Sequence, residues 1–365
     1  MPAEAGSGHQ QPGSGAGRYR RIHEGGIVAA PTMNKVRPSS LWHGRPGYHL
    51  DVLTNPWYQA IAVLQNSISE LTADFWRGRG GQTIFLPVTT GSISSPMGLG
   101  SDSSPVDVEL AGVKTYLADS MQFMLEFGCR LTGRECYYIM PSFRGESCDS
   151  THLSQFFHSE AEIQGGLPDV LAAVEDYLVA LSAGLLARHG DLIERLGGRT
   201  DHIEAVAGRP FTRITFDEAA TLVEPDQIVD HGGWRTLTRA GERQLMRTTG
   251  EFVWVTHWDH LAVPYYQAFG QDERTALNGD LLFGPGEVVG CGERHETSAQ
   301  VEAALRLHRV DREPYRWYLE MRDSSVMRTA GFGLGIERYL MWLLSHDDIR
   351  DLQLLPRENG KDIVP

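Results

Sequence analysis

Arg144, Glu146 and Phe156 fall within one stretch, Pro141–Ile163, PSFRGESCDSTHLSQFFHSEAEI. A guanidinium takes phosphate oxygens, a carboxylate takes amino groups and an aromatic ring offers a stacking face. The set suits an anionic, planar ligand such as ATP. The stretch reads as two strands joined by a polar loop, with Ser147, Asp149 and Ser150 as turn formers. Alternation puts Ser142, Arg144 and Glu146 on one face of the first strand. On the second it puts Phe156, His158, Glu160 and Glu162 on one face, and Leu153, Phe157, Ala161 and Ile163 on the other. Taken alone, a surface hairpin with an ordinary Arg–Glu pair has the same pattern.

Further along lie Asp280, Glu287 and Arg294, evenly spaced around the segment Leu281–Gly290, which reads as a strand. Two carboxylates flanking a strand or hairpin beside a phosphate site suit Mg2+, which takes one or two carboxylates plus phosphate oxygens. Unpaired surface acids give the same spacing. In TAGFGLGIERYLMWLL (329–344), Gly331, Gly333 and Gly335 alternate before an amphipathic helix. They leave a bare strand face on which a flat ligand can lie, with Arg338 in the first turn of the helix aimed at it. The glycines lack the spacing of a dinucleotide fingerprint. His257 and His260 follow a strand and read either as a metal pair or as polar lining.

The elements that must position these groups follow from periodicity. Trp57–Arg77 reads as a helix with Pro56 near its first turn. Thr83–Val88 reads as a buried strand interrupted by Pro87, and residues 89–105 as a long Gly/Ser/Pro loop of the kind that closes over ligands. Asp119–Thr132 reads as a helix capped by Asp119 or Ser120, with Gln122 and Glu126 on one face. Asp169–His189 carries an apolar stripe and reads as a core helix. Residues 211–223 read as a strand entering a helix, 234–248 as an Arg-rich amphipathic segment, and Glu251–Thr256 as a strand.

The chain of 365 residues carries a net charge of −14, and its lysines are Lys35, Lys114 and Lys361. That balance argues against a broad basic surface gripping nucleic acid. Cys129, Cys136, Cys148 and Cys291 lack metal or disulfide spacing and read as free thiols of a reducing compartment. No apolar leader and no apolar run of membrane-spanning length is evident, so the expectation is a cytoplasmic protein without membrane contact. Residues 1–40, rich in Gly, Pro, Ser, Gln and Ala and carrying Arg18, Arg20 and Arg21, read as a disordered tail. Residues 41–365 read as a single domain.

FRGESCDSTHLSQFFHSEAEI and GFGLGIERYLMWLL closely resemble the second and third motifs of the class II aminoacyl-tRNA synthetase core, and TIFLP loosely resembles the first, with Pro87 as its proline. The likeness covers roughly residues 50–355 and is nearest the asparaginyl/aspartyl branch. It implies an α+β fold, a six- or seven-stranded antiparallel sheet flanked by helices, and a homodimer. It implies ATP and Mg2+ as cofactors and an acyl-adenylate as the intermediate. By that likeness Arg144 holds the α-phosphate and, with Arg338, is catalytic; ATP is bound by Arg144, Glu146, His152, Phe156, Glu287, Gly335 and Arg338; Asp280 and Glu287 hold the metal. Ser120, Gln122, Glu126 and Arg294 take the amino-acid substrate. Leu125 stands where the aspartyl branch has lysine, whereas Glu126 and Arg294 match the asparaginyl pattern, which suits a side-chain amide.

Three departures stand out. No anticodon-binding domain is evident before the core. Thr151 replaces the arginine that normally precedes the His152 position. The segment TGSISSPMGLGSDSSP replaces a Glu-Gly-Gly stretch that grips the α-amino group. The resulting expectation is a ligase that activates an aspartate- or asparagine-like carboxylate and passes it to ammonia or a small amine, with tRNA an unlikely partner. The alternatives are an asparaginyl-type ligase charging tRNA or a carrier, and a silent paralogue that only binds ATP or an amino acid.

Overall fold

Apolar residues two apart in several short segments dictate strands, and three of those strands, Gln155–Gln164, Gly286–Glu293 and Thr329–Gly335, also line a cavity. The computed structural model describes residues 36, 38, 47–94, 99, 103–208, 210–357 and 360. The expected tail, apart from Val36 and Pro38, and most of residues 95–102 lie outside them. Eight strands form one sheet: β1 (Gln82–Thr83), β2 (Cys136–Phe143), β3 (Gln155–Gln164), β4 (Thr212–Thr215), β5 (Val253–Thr256), β6 (Asn278–Phe283), β7 (Gly286–Glu293) and β8 (Thr329–Gly335). The spatial order is β1-β2-β3-β8-β7-β6-β5-β4. The central pairs are antiparallel, and the edge pairs β1/β2 and β5/β4 are parallel. The sheet therefore has two short parallel edge strands, one more strand in all than the upper expectation.

Two long helices cover one face. Helix α1 (Pro56–Gly78) starts where Asn55 accepts the Trp57 N–H at 2.9 Å and Pro56 takes a first-turn position. Helix α3 (Leu167–Gly197) bends at His189, whose backbone leaves helical geometry. Ala161 and Ile163 of β3, Val289 and Cys291 of β7, and Ala330, Phe332 and Leu334 of β8 pack against Trp76, Val174 and Tyr177 of these helices. Phe332 stacks on Trp76 with ring centroids 6.1 Å apart. Ile163, Val289, Phe332 and Leu334 each contribute about 1.5–3 kcal/mol by leaving water. Among the described residues α3 is the one helix long and apolar enough to cross a membrane, contrary to the sequence expectation. Its stripe, from Val170 to Leu185, is instead buried against the sheet and α1.

Other expectations change in detail. Of the TIFLPV segment only Thr83 belongs to the strand, together with its neighbour Gln82 in an exposed two-residue β1, and Phe85 is 98% exposed rather than buried. Pro87 offers no N–H to extend the ladder. Helix α2 runs Gln122–Thr132, later than expected. Ser120 Oγ accepts the Gln122 N–H at 3.1 Å, while Asp119 bonds Ser94 instead of capping. The segment 278–293 is a hairpin, β6 and β7, turning at Gly284 and Pro285. The Arg-rich stretch divides into a short strand, Arg235–Leu237, and helix α4 (Arg239–Thr249), the latter capped by Thr238.

Candidate active site

The face of the sheet away from α1 and α3 is built from small residues and charges. Register sets Gly290 of β7 opposite Gly333 of β8, and Gly292 opposite Gly331. Glu160 and Glu162 of β3 lie opposite Gly333 and Gly331 on the other side. A methyl at Gly331 would collide with Glu162 and Arg294, and one at Gly292 with Gln267. Both positions need glycine because polar side chains, charged at Gly331 and an amide at Gly292, lie directly across them.

Over this floor lies a cavity of about 330 Å3. Its wall brings together Arg144, Glu146, His152, Phe156, Glu287, Gly335 and Arg338, seven of the residues singled out in the sequence. Arg144 and Glu146 lie just past the end of β2, where the Arg144 N–H bonds Ser154 O at 2.9 Å. The Arg144 guanidinium stands 5.4 Å from the Phe156 ring centroid. Arg144 Nε and Glu146 Oε2 are buried and have no hydrogen-bond partner. Such groups cost about 1–3 kcal/mol each until a ligand satisfies them. Arg338 donates to the Glu287 carbonyl at 2.8 Å, and burial first of all pulls its pKa down.

Asp280 and Glu287 converge over Gly290, which has Glu287 Oε1 and Asp280 Oδ1 as neighbours. Burial, then the charges of Glu287 and Glu242, push the Asp280 carboxyl well up. Glu242 of α4 is pushed up to about 7 by burial and then by Glu287. Carboxylates held this close fit a divalent cation. Among the described residues no three His, Cys, Asp or Glu side chains already form a complete metal-ligand set. Phosphate oxygens would have to complete the shell.

The loop between β2 and β3 receives a residue that sequence reasoning missed. Arg239, at the start of α4, donates to Thr151 Oγ1 at 2.7 Å and reaches His152 Nε2 at 2.8 Å. Arg239 and Glu242 both come from the Arg-rich stretch, whose only sequence signal was its charge density.

The substrate-side residues are deeper and more heavily paired than expected. Ser120 donates to Glu160 at 2.6 Å, and Tyr138 donates to the same carboxylate oxygen. Gln122 Nε2 is buried without a partner. Glu126 and Arg294, expected to act together on an amide, are not free charges, because each is already paired inside the protein. Glu126 accepts from Tyr318 at 2.5 Å and from Arg322 at 2.6 Å. Arg294 donates to Glu162 at 3.0 Å and to Gln267 at 3.2 Å. A charge with no exposure must be paired inside the protein. Arg322 and Tyr318 sit on a helix, α5 (Arg316–Ser324), that offered no chemical motif. Two residues just before Arg294 are structural. Cys291 packs in the core, and Glu293 bonds Arg328 and the Leu167 N–H that opens α3. His260 is buried, bonded to His308 at 2.9 Å and to Gln267 O at 2.8 Å.

The family model described as tRNA synthetases class II (D, K and N) matches residues 47–359. An asparagine–tRNA ligase of Sorangium cellulosum is 27% identical over 362 residues, covering 94% of this chain and 79% of that protein. One of Chloroflexus aurantiacus is 31% identical over 255 residues, covering 67% of this chain and 58% of its own. The structure of asparaginyl-tRNA synthetase from Pyrococcus horikoshii, complexed with asparaginyl-adenylate, superposes with a TM-score of 0.79 at 23% identity, covering 90% of this chain and 76% of that one. These relatives overturn the expectation that tRNA is an unlikely partner, and with it the preference for ammonia or a small amine as acceptor. The acidic balance was a sum over the whole chain, and a sum says little about charge at one surface.

Proposed function

We propose, from the premise that this chain belongs to the class II tRNA synthetase family of the D, K and N type, that it activates asparagine or a close analogue and passes the acyl group to a ribose hydroxyl of tRNA. The chain is an ATP-dependent ligase that forms an aminoacyl-adenylate. The finer reading is carried by one observation: Arg144 Nε and Glu146 Oε2 are buried and unpartnered in the wall of the cavity that Phe156 also lines. They meet the needs of an adenine stacked on Phe156 and of the phosphate beside it. Arg144 holds the α-phosphate and neutralises charge as the carboxylate attacks phosphorus. Arg338 flanks the adenine from the bare glycine side. His152 and Arg239 receive the pyrophosphate. Asp280 and Glu287 would hold Mg2+, which neutralises phosphate charge when bound. Gln122, Arg294 and the Glu126 cluster face the acyl side chain.

The homodimer belongs to the same reading and is supported by the open edge at β1, where Phe85 stands in solvent. The test is ATP–pyrophosphate exchange with Mg2+ and a panel of asparagine, aspartate and related acids, followed by acylation of tRNA. Exchange and acylation with asparagine support the reading. Exchange with no amino acid, or an Arg144→Ala variant that exchanges as well as wild type, overturns it.

A further inference from the structure

His158 sits midway along the cavity face of β3, between Phe156 and Glu160. Residues two apart on a strand are about 7 Å apart on one face. If adenine lies on Phe156 and the acyl side chain reaches Arg294, the ribose, α-phosphate and acyl carbon pass over His158. One imidazole nitrogen is committed: Nδ1 is 3.0 Å from Glu160 Oε1 and 2.9 Å from Ser142 Oγ. Glu160 is itself held by Ser120 and Tyr138 through its other oxygen. An acceptor-only carboxylate on Nδ1 places the proton there and leaves the lone pair on Nε2. Nε2 has no partner among the described residues. A carboxylate-oriented imidazole with a free nitrogen toward the cavity is the arrangement of a general base.

We propose that His158 is a catalytic base for the acyl-transfer step, oriented by Glu160; this rests on the adenylate-forming reading above. The acceptor ribose oxygen bonds to the acyl carbon while its proton passes to His158 Nε2. The bond between acyl carbon and phosphate oxygen breaks, and AMP leaves with the electron pair. The imidazolium then releases its proton to solvent. Asp119, Glu160 and Glu337 are the acidic groups that act electrostatically on His158 or touch it, and Arg144, His152 and Arg338 line the same cavity.

The experiment separates the two half-reactions. Pyrophosphate exchange reads adenylate formation, and transfer from isolated enzyme-bound adenylate to tRNA reads the second step. His158→Gln, with His158→Asn as a second variant, is expected to slow transfer by about 10²–10⁴-fold and exchange by a far smaller factor. The pH profile of transfer is recorded for wild type and both variants, and a limb present in wild type should be lost in both. Equal losses in both half-reactions, or transfer at the wild-type rate with the limb intact, overturn the assignment and leave the adenylating reading in place. Wild-type enzyme that exchanges with no amino acid overturns that reading and this proposal together.

Discussion

Arg239 Nη2 lies 2.8 Å from His152 Nε2, joining the start of α4 to the β2–β3 loop across 87 residues of sequence. The neighbouring Thr151 stands where the family pattern has arginine. A cation absent from the loop is thus brought to the loop from another element. Nearby positive charge and burial together hold the His152 imidazole below its ordinary pKa, burial being the larger cause.

Arg239→Ala is therefore expected to raise the KM for ATP by about 10–100-fold, the equivalent of one charge-assisted contact of about 1.5–3 kcal/mol. Thr151→Arg in that background should recover part of the loss. Steady-state exchange kinetics at varied ATP provide the check. An unchanged KM in Arg239→Ala would remove the residue from the phosphate site.

Glu242 gives a pH-dependent stability. Its folded-state carboxyl, at about 7, lies above the ordinary 4.5, so between these values the folded chain binds more protons than the unfolded chain. Its contribution is present below about 4.5 and lost as pH rises through about 7. The buried His260 and His295, pulled down to about 4 and about 3, act in the opposite direction. They are common to wild type and variant and cancel in a comparison. Glu242→Gln should match wild-type stability at pH 5 and exceed it at pH 8 by on the order of 1–3 kcal/mol. Mg2+ with ATP should narrow that gap. Thermal melts across pH decide it; a difference independent of pH refutes the coupling.

The Arg322–Glu126 pair is wholly buried, with neither side chain exposed. Arg322→Met leaves Glu126 with Tyr318 and the more distant Arg130 and should cost about 3–5 kcal/mol. Adding Glu126→Gln should recover much of the loss, because the stranded charge is gone. Denaturant unfolding of the two variants measures both effects; equal stability of single and double variants would count against the pair.

Phe85→Asp addresses the open edge beside β1. Light scattering should show wild type as a dimer and the variant shifted toward monomer. A wild-type monomer at micromolar concentration would refute the proposed association.

The sequence by itself determined the part of the cavity wall that comes from the β2–β3 hairpin and β8. Phe156 lies on β3, and Gly331, Gly333 and Gly335 alternate on β8, so strand periodicity alone puts these on defined faces, while Arg144 and Glu146 are close to Phe156 in the chain but lie just past the end of β2. The helix stripes around Ile61–Ile68 and Val170–Leu185 likewise made the core legible. Tertiary structure decided what lies across from these groups. Arg239 reaches His152, Arg322 neutralises Glu126 and Glu162 neutralises Arg294 over separations of 87, 196 and 132 residues. No local pattern encodes such pairs, because a buried charge is satisfied by whichever partner the packed chain brings within hydrogen-bonding distance. The exposure of Phe85 in the TIFLP edge has the same origin. Its apolar residues read as core, but whether an apolar edge is covered depends on what the rest of the chain, or a second chain, lays against it.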